Sequence, residues 1–442
     1  MRRRTDSPVI GVLGHYGNSN LGDEAIIHAV IEEIRRRWDH GALYAVSNRP
    51  ADTAWRHLVP AVSIHTGEMV ETGQGAQHDF RVPARRRAGP GGVWRLPALR
   101  TVRRGAARVV RAVTWIGAQA FSAWRSFRQV RRFDLLLIAG SNQMLDSAGG
   151  PWEFPYINLK WSVLARLAGC RVAWISVGAG PLDSSLGRRF VRLALRLADY
   201  VSVRDEGSRR LLREIGVSRE IAICPDLAHG LVHDRSPRPG GNRDGGRPIV
   251  AINAMPVYDE RYWFESSPEK NRRYLDEVAA FAAALLKDGC GVFFLATHPM
   301  DAAVAKDILG VMETEHGQHP WDRDPVRAPA TVPQLLREIE SADLVVATRF
   351  HGTVLSLLVG RPVLAICYYR KTRELMADFG QGPDFAVTLE EFHADDGVDR
   401  LRLLEARGEE LVSTMRQKSA EARAALHEQY DRVFGLVAGR DA

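Results

Sequence analysis

Residues 9–25 read VIGVLGHYGNSNLGDEA, a short apolar run followed by a glycine-rich turn. Apolar residues continue behind the turn with helical periodicity as far as Trp38, so the stretch predicts a strand, a tight loop and a helix. The glycines permit close backbone approach, Asn20 can bond to its own backbone, and Asp23 is expected to cap the helix. A helix N-terminus after such a loop attracts anionic or polar ligands. The candidate binding residues of the loop are Gly14, Gly17, Asn20, Gly22 and Asp23. Because the spacing is not G-x-G-x-x-G, the loop does not predict a dinucleotide site, and a purely structural turn is the alternative.

Short β-branched runs alternate with helix-length stretches along most of the chain. This alternation predicts the α/β class, with parallel sheets covered by helices on both faces. Residues 234–248 read DRSPRPGGNRDGGRP, which is typical of a solvated linker between domains. The predicted division is a first domain over 1–233 with an insertion at 66–132, a linker over 234–248, a second domain over 249–395, and C-terminal helices over 396–442. The predicted strands are 9–13, 43–47, 61–64, 134–139, 172–177, 200–203 and 221–224, then 249–253, 292–296, 344–347 and 363–366.

The composition is that of a large globular chain. It has 442 residues, of which 45% are apolar, and this excludes intrinsic disorder. The four cysteines are far apart and form no C-x-x-C pair, so neither a disulfide framework nor a thiolate zinc site is expected. The sequence has no signal-peptide pattern and no apolar run of about eighteen residues, so we expect a cytoplasmic protein.

Positive charge is concentrated in the insertion. Fourteen arginines and no acid occur from Arg81 to Phe133, while the whole chain has a net charge of +7. Apolar residues recur there at three- and four-residue steps, which predicts an amphipathic helix with an arginine-free centre of about 20 Å, too short to span a bilayer. Two interpretations stay open: residues 98–132 bind an anionic membrane surface, or they pack on the protein. Nucleic-acid binding is not expected, because no recognition motif accompanies the basic residues.

Chemically active side chains follow several predicted strands, at the sheet edge where α/β folds collect ligands. The strongest cluster is 347–353, ATRFHGT, and YYRK at 368–371 follows the next strand. Arginine binds carboxylate or phosphate with a planar fork, lysine supplies a compact charge, and histidine exchanges a proton near neutral pH. The set predicts a small anionic ligand and acid–base chemistry, although a structural salt bridge is the alternative for Arg204. The candidates are Arg204, His298, Arg349, His351 and Lys371.

These motifs resemble the polysaccharide pyruvyl transferase family. The likeness rests on the 14–25 loop, on V-R-D at 203–205, and on R-x-H followed by P-V and Y-x-x-K within 349–371. It covers residues 9–47 and 134–380. It implies two Rossmann-like domains facing a cleft, as in GT-B glycosyltransferases. It also implies transfer of the enolpyruvyl unit of phosphoenolpyruvate to a sugar diol of a cell-envelope or exopolysaccharide precursor, as a ketal and without a metal or cofactor.

The resemblance also implies roles for the site residues. Arg204, Arg349 and Lys371 would bind phosphoenolpyruvate, and Lys371 would stabilise the departing phosphate. His351 would be the proton donor or acceptor. Phe350 stands where the family usually has leucine, and we expect its side chain to point away from its neighbours. The residues expected to face the saccharide acceptor are Gly14, Gly17, Asn20, Gly22, Asp23 and His298.

Two other functions were weighed. The same architecture would serve a glycosyltransferase that uses a nucleotide sugar; Asp322-Arg-Asp324 matches its D-x-D metal pattern but reads better as a solvated loop. A non-catalytic member that binds a membrane is disfavoured, because a scaffold has no need of the four basic candidates together. If 98–132 binds membrane, a lipid-linked acceptor at the inner face of the cell membrane would follow.

Overall fold

The first sheet lies at the N-terminal end of the chain and has eight strands. The computed structural model describes residues 7–38, 41–77, 117–147, 149–231, 246–263, 266–317 and 324–438. The strands are β1 (Ile10–Leu13), β2 (Leu43–Ser47), β3 (Ala61–Ser63), β4 (Met69–Val70), β5 (Leu135–Ala139), β6 (Arg171–Val177), β7 (Tyr200–Val203) and β8 (Ala222–Ile223). Their order is β4-β3-β2-β1-β5-β6-β7-β8, and of these pairs only β3 with β4 is antiparallel. All five residues of β5 are buried, as expected for a parallel strand covered on both faces.

Six helices accompany this sheet in the described part of the chain. They are α1 (Leu21–Arg37), α2 (Pro50–His57), α3 (117–130), α4 (Phe154–Leu167), α5 (Ser185–Arg196) and α6 (Glu206–Glu214), with a 3₁₀ turn at Leu227–Gly230. Helix α1 starts where Asn20 accepts a hydrogen bond from the Gly22 N–H. Acids stand in its first turn and arginines in its last, which matches the helix dipole.

The second sheet has six strands, all parallel, in the order β11-β10-β9-β12-β13-β14. The strands are β9 (Ile249–Asn253), β10 (Gly291–Leu295), β11 (Val326–Arg327), β12 (Leu344–Ala347), β13 (Val363–Cys367) and β14 (Ala386–Thr388). Its helices are α7 (Pro268–Lys287), α8 (Pro299–His316), α9 (Val332–Glu340), α10 (Phe350–Leu358) and α11 (Arg370–Asp378). The α/β class with two Rossmann-like domains is confirmed.

Two C-terminal helices follow, α12 (Ala394–Ala406) and α13 (Gly408–Ala438). Helix α12 packs on α7, whereas α13 contacts both α10 and β6. Near its end Phe434 packs edge-on against Trp38 of the first domain, with 4.8 Å between ring centroids. Helix α13 therefore joins the two domains, and one continuous apolar core contains residues of both.

Helix α3 lies in the predicted insertion, and residues 78–116 lie outside the described part of the chain. Ser122, Ser126 and Val130 are buried, whereas Phe121 is 58% and Trp124 52% exposed. The expected apolar stripe through Trp124 therefore faces solvent along the described turns. Among the described helices, none is both long enough and apolar enough to cross a bilayer.

The predicted strands occur with ends shifted by at most one residue. Three short strands, β4, β11 and β14, were not predicted, because runs of two or three residues carry little periodic signal. Most of the predicted 234–248 linker lies outside the described residues, so the domain boundary stays a prediction.

Candidate active site

The candidate site lies where the carboxyl ends of the two sheets meet. The Leu21 N–H at the start of α1 donates to the Thr297 carbonyl after β10, with 2.9 Å between N and O. Beside it, a Cβ at Gly22 would lie 2.5 Å from the His351 Cβ, so only glycine fits. The glycine-rich loop and the R-x-H motif are therefore in contact across the domains.

Asp226 links two of the predicted residues, Arg204 and His351. Its Oδ2 accepts a hydrogen bond from Arg204 Nη1 at 2.9 Å and lies 3.8 Å from His351 Nε2. The Ala228 N–H donates to its other oxygen at 3.1 Å. Burial alone would raise the pKa of Asp226, but His351 and Arg204 outweigh it and hold the pKa well below its usual range. A buried carboxylate therefore orients both side chains, so Arg204 forms a salt bridge within the predicted cluster.

Phe350 lies between two cations from other elements. Its ring also contacts that of its neighbour His351, with 5.3 Å between centroids, because the segment is not extended as the expectation assumed. The Arg204 guanidinium carbon is 5.1 Å and the Lys371 Nζ 4.7 Å from its ring centroid. Phe350 opens α10 instead of continuing an extended segment, which turns its ring toward β7 and α11. Both distances are those of cation–π contacts.

Lys371 is largely enclosed, and no described carboxylate lies within ion-pair distance of its ammonium group. Burial and the charge of Arg204 lower its pKa to about 7, although nearby acids such as Asp226 oppose the shift. An enclosed cation without a partner is costly unless a ligand supplies one. Lys371 and Arg204 therefore form an electropositive group around the Phe350 ring.

Arg349 is committed to a different partner. Its Nε donates to both oxygens of Asp301 at 2.8 Å, and Asp301 is 1% exposed. Burial opposes the charged form, but Asp301 keeps the pKa of Arg349 above its usual value. Tyr262 lies on another side, with the guanidinium carbon 6.0 Å from its ring centroid. Arg349 is therefore adjacent in sequence to Phe350 and His351, but its guanidinium is already paired with Asp301.

The polar atoms of the glycine-rich loop bond mainly within the protein. Asn20, not Asp23, caps α1, and Asp23 accepts hydrogen bonds from Asn20 and from Ser141. The Gly17 N–H donates to Glu24, whose other oxygen lies 2.7 Å from His57 Nε2 in the interior. These contacts shape the loop, and its predicted contact with an acceptor stays a prediction.

His298, the other residue predicted on the acceptor side, caps α8. Its Nδ1 accepts a hydrogen bond from the Met300 N–H at 3.1 Å. Burial, together with the charge of Arg349, lowers its pKa to about 4, so it is neutral at pH 7. It lies against Tyr262, 5.6 Å between ring centroids, on the Arg349 side of the crevice.

A sequence model of the polysaccharide pyruvyl transferases matches residues 20–369. The chain belongs to this family. The match contains Arg204, Arg349 and His351, starts after Gly14 and Gly17, and ends two residues before Lys371. A comparison with curated protein sequences gave no match.

Solved structures similar to this pyruvyl transferase include two described as UDP-N-acetylglucosamine 2-epimerases and a glycosyltransferase. The UDP-N-acetylglucosamine 2-epimerase structure from Listeria monocytogenes has a TM-score of 0.51 at 10% identity, over 96% of this chain and 97% of that chain. A glycosyltransferase from Rickettsia africae gives 0.49 at 7% identity, over 98% and 100%. The UDP-GlcNAc 2-epimerase from Methanocaldococcus jannaschii gives 0.48 at 8%, over 90% and 92%. At such identities the likeness concerns the fold alone.

A cavity of about 460 Å³ opens beside the basic group of this pyruvyl transferase. Its lining includes Arg204, Asp226, Phe350 and Lys371, together with residues of β8 and the segment after it and residues of α11 and α13. The volume is within the usual range of ligand sites, roughly 300–1,000 Å³. Three predicted residues, Arg204, His351 and Lys371, thus gather around Phe350 and Asp226, whereas Arg349 and His298 adjoin Asp301.

The sequence did not indicate that Asp226 and Asp301 are site residues. Each had a weak signal: Asp226 ends the C-P-D that follows a predicted strand, and Asp301 is three residues after His298 at a helix start. Single acids at strand ends are common, and nothing local in the sequence connects either with its arginine, since Asp226 and Arg204 are 22 residues apart and Asp301 and Arg349 are 48.

Proposed function

We propose that this enzyme moves the enolpyruvyl unit of phosphoenolpyruvate onto a sugar diol, forming a cyclic ketal and releasing phosphate. Family membership supports pyruvyl transfer in polysaccharide synthesis. The observation that carries the finer proposal is the Lys371 ammonium, which has no carboxylate partner among the described residues and shares the Phe350 ring with Arg204 beside the cavity. A donor with a carboxylate and a phosphate would supply the missing negative charge.

Donor binding follows from the charges. Phosphoenolpyruvate carries about three negative charges near neutral pH, and each charge-assisted hydrogen bond contributes roughly 1.5–3 kcal/mol. In this proposal Lys371 and Arg204 hold one anionic group, and Lys371 stabilises the phosphate as it leaves. Arg349 serves the other anionic group, held in place by Asp301.

His351 provides the proton in this proposal. Transfer of a proton from its imidazolium to the methylene carbon of the donor gives an oxocarbenium-like C2. One acceptor hydroxyl adds to C2 and loses its proton, the C2–O bond to phosphate breaks, and a second hydroxyl adds and loses its proton to close the ketal. The Asp226 carboxylate, 3.8 Å from His351 Nε2, helps to hold the ring in position for this transfer.

Product analysis separates this function from nucleotide-sugar glycosyl transfer, which the fold also accommodates. We expect phosphate release from phosphoenolpyruvate that depends on a saccharide acceptor, and no nucleotide release from UDP-sugars. Lys371→Met should lose the activity, while Lys287→Met, an exposed position at the end of α7, serves as the matched control. Acceptor-dependent nucleotide release without phosphate release would overturn the proposal.

We further infer that the enzyme works at the inner face of the cell membrane, on a cell-envelope precursor. The exposed Phe121 and Trp124 rings stack at 5.9 Å, with Arg125 and Arg128 against them. Exposed aromatics flanked by arginines suit the interface of an anionic bilayer, where each basic residue contributes about 1 kcal/mol. This placement favours a lipid-linked acceptor over a free saccharide.

A further inference from the structure

The cavity beside Lys371 is larger than a three-carbon phosphate ester needs. Its volume is about 460 Å³, and it extends from the Phe350 ring into the space between α11 and α13. Apolar surface there comes from Leu375 of α11 and from Phe379 directly after it, and from Ala422 and Ala425 of α13. Space is therefore left for a second ligand next to the donor.

The charges along the cavity restrict what this second ligand can be. Five carboxylates and three basic side chains line it. Of the basic residues, Arg204 is already paired with Asp226, at 2.9 Å, and Lys418 with Glu421, at 2.9 Å. Glu374 of α11 is paired with Arg370, at 2.7 Å, which leaves the Asp378 carboxylate as the unpaired charge among the described residues between α11 and α13. A second anion would be repelled by it, so the space suits a neutral or cationic molecule.

Carboxylates with free lone pairs also select for hydroxyl groups. The Asp378 carboxylate lines the cavity, and among the described residues no donor lies within hydrogen-bond distance of it. Ionised carboxylates accept hydrogen bonds only, so they pair with ligand O–H or N–H groups. Apolar surface from Phe379 and Leu375 complements the C–H faces of a sugar ring. The Lys371 ammonium also lines the cavity and has ring contacts but no carboxylate partner among the described residues, which is a second observation that points to a ligand.

We propose that the space between α11 and α13 is the subsite for the saccharide acceptor, with Asp378 and Glu421 accepting hydrogen bonds from its hydroxyls. The proposal rests on the proposed function. It places an uncharged sugar or an amino sugar beside the donor on the α13 side of the crevice, away from the glycine-rich loop. A nucleotide diphosphate is excluded from this part of the cavity by the same carboxylates.

Saturation-transfer NMR with methyl glucoside, galactoside and mannoside, each with and without phosphoenolpyruvate, tests binding directly. We expect saturation transfer to at least one glycoside in the wild type and none to glucose 6-phosphate, because the carboxylates repel it. Asp378→Asn should weaken glycoside binding about 10- to 100-fold, the range for loss of a charged hydrogen bond. Glu313→Gln, on the exposed face of α8, is the matched control.

A steric variant makes a second test. Ala425→Trp fills the space between the helices and should abolish glycoside binding while phosphoenolpyruvate still binds. Ala424→Trp, on the exposed side of the same helix, should leave both unchanged. Unaltered glycoside binding in Asp378→Asn and Ala425→Trp, or absence of binding to the wild type, would overturn the subsite. Failure of the proposed function is distinguishable, because the wild type would then bind glycoside yet release no phosphate from phosphoenolpyruvate.

Discussion

His351 is the residue whose removal should cost most in turnover. It contacts Gly22 of the opposite domain and lies 3.8 Å from the buried Asp226, so its position is set from two sides. His351→Ala should lower kcat for phosphate release by about 10²- to 10⁴-fold, the usual contribution of general acid–base catalysis. His393→Ala, an exposed histidine paired with Glu277, should stay near wild type. Near-normal turnover in His351→Ala would remove it from the mechanism.

We expect Phe350 to contribute to the affinity for phosphoenolpyruvate rather than to the chemical step. Its ring contacts two cations, and each cation–π contact is worth about 0.5–2 kcal/mol. Phe350→Leu should therefore raise KM for phosphoenolpyruvate, by about 2- to 30-fold for each lost contact, with a smaller change in kcat. Phe350→Tyr keeps the aromatic face and is the control. Equal KM values for the Leu and Tyr variants would mean that the ring does not position the cations.

Lys371 should make donor binding depend on pH. Its pKa is lowered to about 7, so in the free enzyme the ammonium is present below that pH and lost above it. Affinity for phosphoenolpyruvate, measured by calorimetry, should fall as pH rises through about 7, by up to tenfold per pH unit. Lys371→Arg stays charged and should remove this dependence. If the affinity falls with the same slope in the wild type and in Lys371→Arg, the pH dependence comes from another group.

At the scale of elements, α3 carries the surface proposed to meet the membrane. Replacing Phe121 and Trp124 together by serine removes two exposed rings while the buried side of the helix stays intact. We expect this double variant to pellet less than wild type with vesicles containing phosphatidylserine, and salt to weaken pelleting of the wild type. Leu167→Ser removes an exposed apolar residue of α4 and is the control. Equal pelleting of the three proteins would leave α3 without a membrane role.

The elements that the sequence predicts well are those with strong local patterns. Strands β2, β7, β9 and β12 occur with the predicted bounds, because each is a compact apolar run before a helix. The edge strand β14 was not predicted, because three residues give too little periodicity. Candidates such as Arg204 and Lys371 lie in short local motifs, so the sequence predicts them. The residues that contact them in the fold come from distant segments and were not predicted. The Phe350 contacts and the Asp301 partner of Arg349 depend on pairings between distant segments, which no local pattern contains.

Helix α13 contacts both domains and holds them together. Tyr430 is 1% exposed and stacks on Phe434, and the neighbouring Gln429 bonds to Ser176 and Ser202 at the ends of β6 and β7. Because Arg204 directly follows β7, this anchoring also supports the site. Tyr430→Ala should lower the free energy of unfolding by about 3–5 kcal/mol, as for other large buried aromatics. The exposed Glu428→Ala should change it by less than about 0.5 kcal/mol. Similar values from denaturant unfolding of both variants would contradict this role for α13.

In the proposed mechanism, one pocket at the junction of both domains receives phosphoenolpyruvate. Diffraction from crystals grown with the compound tests it most directly. We expect an anionic group of the donor within about 3 Å of Lys371 Nζ and the Arg204 guanidinium, and C3 facing His351. Phosphoenolpyruvate ordered elsewhere, or its absence at concentrations that saturate phosphate release, would contradict the account.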